Sequence, residues 1–444
     1  MARLFGTDGI RGVAYTELTE ELAKNVGRAL VEILGSKSDT KVLIGLDTRE
    51  SSEDLGRAVA EGICLGGADA YLVGVCSTPA VAYLVKKLGF NAGVMISASH
   101  NPYQFNGIKI FASDGYKLSD ETEDKIEALI KSGTLTDAKA IGKTENLTDA
   151  IDEYSKYLVG AFGVSFSGIK IGIDCANGSA SATAKDVFEA LGGECIMLAN
   201  SPDGTNINNG CGSTHPENLK NKVKELGLDV GIAFDGDADR CIAIDESGRE
   251  IDGDYIMAII SLWLKDRGEL NKNTVVGTVM SNLGFVKFCE ENSLNFIATK
   301  VGDRYVLEEM LKNGYNFGGE QSGHLILSDF ATTGDGQLTA IALVSLLKES
   351  GKSLSVLADV MKKFPQYMVN ISATADEKAM MSQNDDIISL IKAADKKLEG
   401  CGRLVIRPSG TEPLVRIMAE GENLEDIKDI CDGLATEISQ IFKK

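Results

Sequence analysis

Apolar residues recur at helical spacing between residues 20 and 34, at Leu22, Val26, Ala29, Leu30 and Ile33, and predict a helix there. A strand signal follows from Lys41 to Leu46 and ends in the polar triplet DTR. A second helix, Asp54 to Leu65, leads to strands at Ala70 to Val73 and around Ala92, Val94 and Ile96. Such alternation predicts a mostly parallel sheet covered by helices. The polar, weakly periodic stretch from Lys131 to Asn146 closes a first domain, expected over 1–150.

The rhythm returns twice. Over 151–252 the pattern gives strands Ile169 to Asp174, Glu194 to Leu198 and Val230 to Phe234, with helices Ala182 to Leu191 and Asn218 to Leu226 between them. Over 253–365 it gives helices Tyr255 to Lys265, Gly284 to Asn292, Gly336 to Lys348 and Ser353 to Lys362, and strands Thr274 to Thr278 and Asn295 to Thr299. The remainder, 366–444, reads as strand, helix, two strands and a final helix, a small α+β domain.

Charge narrows the partners. Lys and Arg number 45 against 65 Asp and Glu, and the net charge of -20 disfavours nucleic acid and anionic membrane over most of the surface. A small phosphorylated ligand is still allowed, since a few converging cations make a local positive well. The 9 cysteines form no CxxC pair, and no His stands at zinc-finger spacing, so reduced thiols are expected. The opening MARLFGTDGIRG lacks the basic-then-apolar build of a signal peptide, and no apolar run approaches a bilayer span. A soluble cytoplasmic protein is the expectation.

Four stretches carry chemistry. ISASHNP, from Ile96 to Pro102, puts Ser99 at the end of a strand, followed at once by His100. Ser99 is either a turn residue bonding local backbone or a nucleophile and phosphoryl carrier. DGDADR offers Asp235, Asp237 and Asp239, which can share an ion only if the chain curls at the small residues Gly236 and Ala238. Ligands that are all oxygen favour Mg²⁺ or Ca²⁺ over zinc. Glu246 completes a partial EF-hand spacing, but Arg240 stands where that loop turns on Gly, and VGIAF and CIAID flank it as strands. GEQSGH sets Glu320, Ser322 and His324 on alternate positions, which in an extended segment would line one wall suited to sugar hydroxyls. In RPSGTEP, Arg407, Ser409, Gly410 and Thr411 offer a guanidinium, hydroxyls and backbone N–H groups in one turn, a nest for phosphate to which Arg416 adds a second cation.

Together these stretches turn the choice at Ser99 toward phosphoryl transfer. Two weaker candidates, Arg11 in FGTDGIRG and Lys109 in NGIKIF, stand on a glycine-rich loop and a strand close to the serine. GKS at Gly351 and GKT at Gly142 lack the upstream Gly of a P-loop, and no GxGxxG occurs, so neither ATP nor NAD is implied.

In order and over nearly the whole length, the four motifs resemble those of the α-D-phosphohexomutase superfamily, and FGTDGIRG with GEQSGH looks most like its glucosamine branch. The resemblance implies three similar mixed α/β domains and a C-terminal α+β domain around a central cleft. It implies that Ser99 is a phosphoserine, that Ser99, Asp235, Asp237 and Asp239 hold Mg²⁺, and that Arg11, His100, Lys109 and His324 serve phosphate stabilisation or proton transfer. Glu320 and Ser322 would meet sugar hydroxyls, and Arg407, Ser409, Gly410, Thr411 and Arg416 the distal phosphate. The implied reaction interconverts glucosamine 6-phosphate and glucosamine 1-phosphate for UDP-N-acetylglucosamine synthesis, primed by glucosamine or glucose 1,6-bisphosphate; the alternatives are mannose or glucose phosphates, or a silent sugar-phosphate sensor. The implied partner is a small sugar phosphate, and a homodimer is compatible with it. Phe105 and Ala238 depart from the family pattern, where an acidic residue and Gly are usual, and neither departure removes a reacting group.

Overall fold

The computed structural model describes residues 3–6, 8–35, 39–409 and 413–443. Its first sheet has seven strands in the order Phe5–Gly6, Gly9–Val13, Phe105–Ala112, Ala92–Ile96, Lys41–Leu46, Asp69–Val75 and Thr144–Asn146. The last four pair in parallel and the first three join antiparallel, so the sheet is mixed where a mostly parallel one was expected. The cause is local. Residues 97–104 are too few for a crossover, which takes about a dozen residues, and the chain must return antiparallel.

That construction occurs three times. In the second sheet Val230–Phe234 lies parallel to Lys170–Asp174 and turns back antiparallel into Cys241–Asp245. In the third, Phe317–Gly319 lies parallel to Thr274–Thr278 and turns back into Leu325–Leu327. Each turnaround carries one motif: the Ser99 loop, the aspartate loop and the GEQSGH loop. Each therefore stands at the carboxyl end of an inner parallel strand, where α/β sheets place ligands.

Apolar packing fixes these strands. Val42, Ile44, Val94 and Ile96 are fully buried against Val26 and Leu30 of helix Glu20–Leu34 and Leu55, Val59 and Ile63 of helix Glu50–Leu65. Each such side chain contributes roughly 1.5–3 kcal/mol on burial. Three further helices arise from end signals rather than from long apolar periodicity. Thr78–Leu88 starts at Ser77, whose Oγ accepts the Ala80 N–H, and stops at Gly89 in the left-handed region. Asp120–Ser132 is capped in the same way by Ser119 and Gly133, and Asp303–Asn313 ends at Gly314.

By its internal contacts the chain divides into two compact units, 1–278 with 295–360, and 279–294 with 361–444. Helix Leu283–Glu291, expected in the third α/β domain, thus packs with the C-terminal unit: Asn282 Nδ2 donates to the Phe364 carbonyl, and Glu420 accepts from Asn282 and the Leu283 N–H. In that unit a three-stranded antiparallel sheet, Gln366–Ser372, Leu414–Gly421 and Gly402–Pro408, packs with helix Leu424–Phe442. Between its first two strands in sequence stand two helices, Ala375–Gln383 and Asp385–Leu398, where one was expected. The break falls at Asn384, whose side chain caps the second helix through the Asp386 and Ile387 N–H groups.

Candidate active site

Ser99 has φ +54, a left-handed conformation that costs a non-glycine residue about 1–3 kcal/mol and persists where surrounding groups over-determine it. Here the Ser99 N–H donates to Ser97 Oγ, and the Ser99 carbonyl accepts from Asn208 Nδ2 at 2.9 Å. The backbone twist aims the buried hydroxyl at the aspartate loop, where Oγ donates to Asp235 Oδ2 at 2.6 Å. His100 Nδ1 lies 3.5 Å from the same oxygen. Burial, with Arg240 and Arg11 nearby, lowers the His100 pKa to about 4, so its imidazole is neutral at pH 7.

The aspartate loop curls as the carboxylates require. Ala238 adopts φ +55 and its N–H bonds back to the Asp235 carbonyl. One oxygen each from Asp235, Asp237 and Asp239 then lies within 4.8 Å of the others, and all three residues are buried. Asp237 Oδ1 and Asp239 Oδ1 have no hydrogen-bond partner among the described residues. Buried, unpaired carboxylate oxygens are costly unless a cation meets them, so this donor set fits a hard divalent ion. Burial, with Asp239 and Asp237 alongside, pushes the Asp235 carboxyl well above its ordinary value. For Asp237 burial works against the charge, yet Lys109 and the Thr78 hydroxyl outweigh it and hold the pKa below the usual range.

Lys109 comes from the strand that leaves the Ser99 loop. Its Nζ lies 2.7 Å from Asp237, 2.9 Å from Asp8 and 3.4 Å from Asp239. Burial opposes this ammonium charge, but the three carboxylates outweigh it and raise the lysine well above its ordinary value. Asp8 also pairs with Arg11 and with Lys117, which in turn pairs with Asp303. Arg11, Lys109 and Lys117 thus converge on Asp8, and Lys109 carries this positive cluster on to Asp237 and Asp239 of the aspartate loop. Arg240 adds its Nε 4.0 Å from Asp235 and 3.9 Å from Asp239.

The GEQSGH loop is a tight hairpin and not an extended wall, which corrects the reading of alternate residues on one face. Gly323 has φ +91, and a Cβ there would lie 2.3 Å from the Cys241 carbonyl oxygen, so the chain turns between Glu320 and Leu325. The three side chains separate. Ser322 is exposed, while Glu320 Oε1 accepts the Gly302 N–H. His324 is buried, with Nε2 3.6 Å from Asp303 and 4.0 Å from Asp239, and neither ring nitrogen has a hydrogen-bond partner among the described residues.

In the C-terminal unit, Arg407 and Arg416 face each other across paired antiparallel strands. The Ser409 N–H bonds to the Leu414 carbonyl, and Lys378 Nζ donates to the Ser409 carbonyl at 2.6 Å. Gly410 and Thr411 lie outside the described residues.

Sequence reading missed Asp8, Thr78, Lys117, Arg240 and Asp303 as site residues. Arg240 closes the motif DGDADR and was open to notice. Thr78, in the first turn of its helix, donates both its N–H and its hydroxyl to Asp237, a contact across 159 positions that no local pattern signals.

Comparison with known proteins identifies the family. Family models for phosphoglucomutase/phosphomannomutase match in order: alpha/beta/alpha domain I over 2–137, domain II over 152–248, domain III over 252–364, and the C-terminal domain over 368–437. A phosphoglucosamine mutase of Caldicellulosiruptor saccharolyticus is 52% identical over 99% of both chains, and one of Clostridium novyi 50% identical over 99% of both. Among solved structures, a phosphoglucomutase/phosphomannomutase family protein of Burkholderia thailandensis shares the fold with TM-score 0.82 at 22% identity, covering 99% of this chain and 98% of that one. An N-acetylphosphoglucosamine mutase of Aspergillus fumigatus, solved with GlcNAc-6P and magnesium, gives TM-score 0.68 at 16% identity, over 99% of this chain and 96% of its own. The chain belongs to the phosphoglucomutase/phosphomannomutase family and, by full-length identity of about one half, to its phosphoglucosamine mutases.

Proposed function

We propose that this enzyme interconverts glucosamine 6-phosphate and glucosamine 1-phosphate by way of a phosphorylated Ser99. The observation that carries the reading is the Ser99 hydroxyl held at 2.6 Å on Asp235, inside the buried aspartate cluster. In the forward direction the 1-hydroxyl oxygen of the sugar bonds to phosphorus as the bond to Ser99 Oγ breaks, giving a bisphosphate. The bisphosphate then turns round, its 6-phosphoryl group passes to Ser99 Oγ, and glucosamine 1-phosphate leaves with the phosphoserine restored.

The surrounding residues have separate tasks. Lys109 and Arg11 offset the negative charge of the transferring group, which in phosphoryl transfer is spread over the equatorial oxygens. His324, whose ring nitrogens carry no hydrogen bond among the described residues, receives the proton of the attacking hydroxyl and returns it in the second step. His100, kept neutral, accepts or donates a hydrogen bond beside Ser99 without adding charge. Glu320 and Ser322 meet sugar hydroxyls. Arg407, Ser409, Gly410, Thr411 and Arg416 grip the phosphate that is not being transferred, a charge-assisted role suited to arginine. Asp235, Asp237 and Asp239, with Ser99, would hold Mg²⁺, which supplies electrostatic stabilisation of the phosphoryl oxygens when bound. A bisphosphate of glucosamine or glucose primes the serine.

Side-by-side kinetics with glucosamine, glucose and mannose 6-phosphates test the substrate, with glucosamine 6-phosphate expected to give the highest kcat/KM. A higher value for mannose or glucose 6-phosphate would place the enzyme with the other mutases. Binding without turnover, in a primed assay containing Mg²⁺, would favour a sensor.

A further inference from the structure

The motif DTR that ends strand Lys41–Leu46 takes no part in the chemistry above, yet its arginine is the most completely engaged donor near the serine. Arg49 is buried, with its side chain fully shielded from solvent, and a guanidinium has five N–H donors. All five are used. Nε donates to Asp47 Oδ2 at 2.7 Å; Nη1 donates to the carbonyls of Pro102 at 2.5 Å and Phe105 at 3.0 Å; Nη2 donates to those of Ser99 at 2.8 Å and Asn101 at 2.9 Å. One side chain therefore ties down three carbonyls of the loop that presents the reacting serine and that of Phe105, where the next strand begins.

Its own anchor is rigid. Asp47 follows directly on a buried parallel strand, its N–H bonded to the Ile96 carbonyl, and its carboxylate accepts the Arg49 N–H, Ser52 Oγ and Ser97 Oγ. Ser97 Oγ in turn receives the Ser99 N–H. The left-handed Ser99 is thus gripped at both its N–H and its carbonyl by groups that trace back to Asp47 and Arg49.

We propose that Arg49, oriented by Asp47, is a positioning residue for phosphoryl transfer: it holds the strained Ser99 backbone so that Oγ stays aimed at the aspartate loop. The inference rests on the reading of Ser99 as phosphoryl carrier and adds a residue to it. An ammonium has three donors and no planar fork, so lysine cannot replace this arginine. A purely structural arginine would affect folding and leave the chemistry of folded molecules alone.

The experiment uses the full-length enzyme, Arg49→Lys, Asn208→Ala and the double variant. It reads Tm, Ser99 phosphate by peptide mass spectrometry, and kcat and KM per folded molecule. Misaiming a reacting group by about an ångström costs about a hundredfold, so kcat should fall at least about tenfold in Arg49→Lys with KM changed less than about twofold. Asn208 grips the same Ser99 carbonyl, so the two effects should couple and not simply multiply. Normal kcat in folded Arg49→Lys, beside a wild type that carries Ser99 phosphate, would overturn the clamp alone. If Arg49→Lys does not fold, Asn208→Ala decides: a lowered kcat at unchanged KM supports the clamp, and a normal kcat overturns it. A wild type that turns over with no phosphate on Ser99 would overturn the underlying reading, and the clamp with it.

Discussion

A methyl group at position 236 would be built into a place where the backbones of the aspartate loop and the serine loop meet. A Cβ on Gly236 would lie 2.5 Å from the Ser99 carbonyl oxygen, 2.8 Å from Ile207 Cδ1 and 2.9 Å from Asn208 Nδ2. The Ile207 methyl is a side-chain tip that can rotate, and Asn208 Nδ2 can move only by giving up its own hydrogen bonds to the Ser99 and Asn101 carbonyls. The carbonyl is backbone, held by Arg49 and Asn208, and cannot withdraw without carrying Ser99 along. Ordinary contact begins at 3.4 Å, so the two loops must part by about 0.9 Å, and a misplacement of that size costs about a hundredfold in rate, or about 2.7 kcal/mol. Gly236 does not occupy the left-handed region, so the alanine backbone itself is unstrained and the effect is steric. Overpacking should also lower stability by about 1–3 kcal/mol. Gly236→Ala should therefore fold with a reduced Tm and lose kcat about a hundredfold at saturating Mg²⁺. A kcat within threefold of wild type, an order-of-magnitude criterion set against that hundredfold expectation, would refute the claim that contact of these loops sets the transfer geometry.

Other perturbations probe other parts. Asp237→Asn should lower turnover far more than Tm and raise the Mg²⁺ concentration needed for half activity; unchanged turnover at limiting Mg²⁺ would contradict the metal assignment. Arg407→Ala should cost one charge-assisted contact, about 1.5–3 kcal/mol or roughly ten- to more than a hundredfold in kcat/KM, while Ser99 still accepts phosphate; normal kcat/KM would exclude a phosphate grip. Gly334→Ala would put a Cβ 2.4 Å from His324 Nε2, so kcat should fall with little change in KM, and an unaltered kcat would remove His324 from proton transfer. Burial lifts the Asp335 carboxyl to about 6 against 3.8 unfolded, so the fold favours its protonated form and stability from this group is lost as pH rises from about 4 to about 6. Denaturation of Asp335→Asn against wild type should show the variant gaining by up to about 3 kcal/mol across that window, and a pH-independent gap would contradict the assignment.

Much of the candidate site was legible in the sequence because the groups proposed to react stand in short motifs at strand ends, and the structure brings Ser99 and the three aspartates together. The curl at Ala238 was required by electrostatics before it was seen, since three carboxylates in a flat strand cannot share an ion. The wall of Glu320, Ser322 and His324 failed because Gly323 turns the chain, and spacing cannot distinguish an extended segment from a hairpin. Helix Thr78–Leu88 escaped notice although Ser77, Pro79 and Gly89 mark its ends, because a short buried helix shows little amphipathic contrast. The Arg49 clamp and the Lys117–Asp303 pair join residues 50 to 186 positions apart, and only the folded chain brings them together.

The central claim is that phosphate passes through Ser99, and a rapid-quench experiment on wild type primed with ³²P-labelled glucose 1,6-bisphosphate tests it most directly. Label should appear on the peptide containing Ser99, be absent in Ser99→Ala, and leave for glucosamine 6-phosphate at least as fast as kcat. Label absent from Ser99 in an active enzyme, or discharged more slowly than the enzyme turns over, would contradict the account.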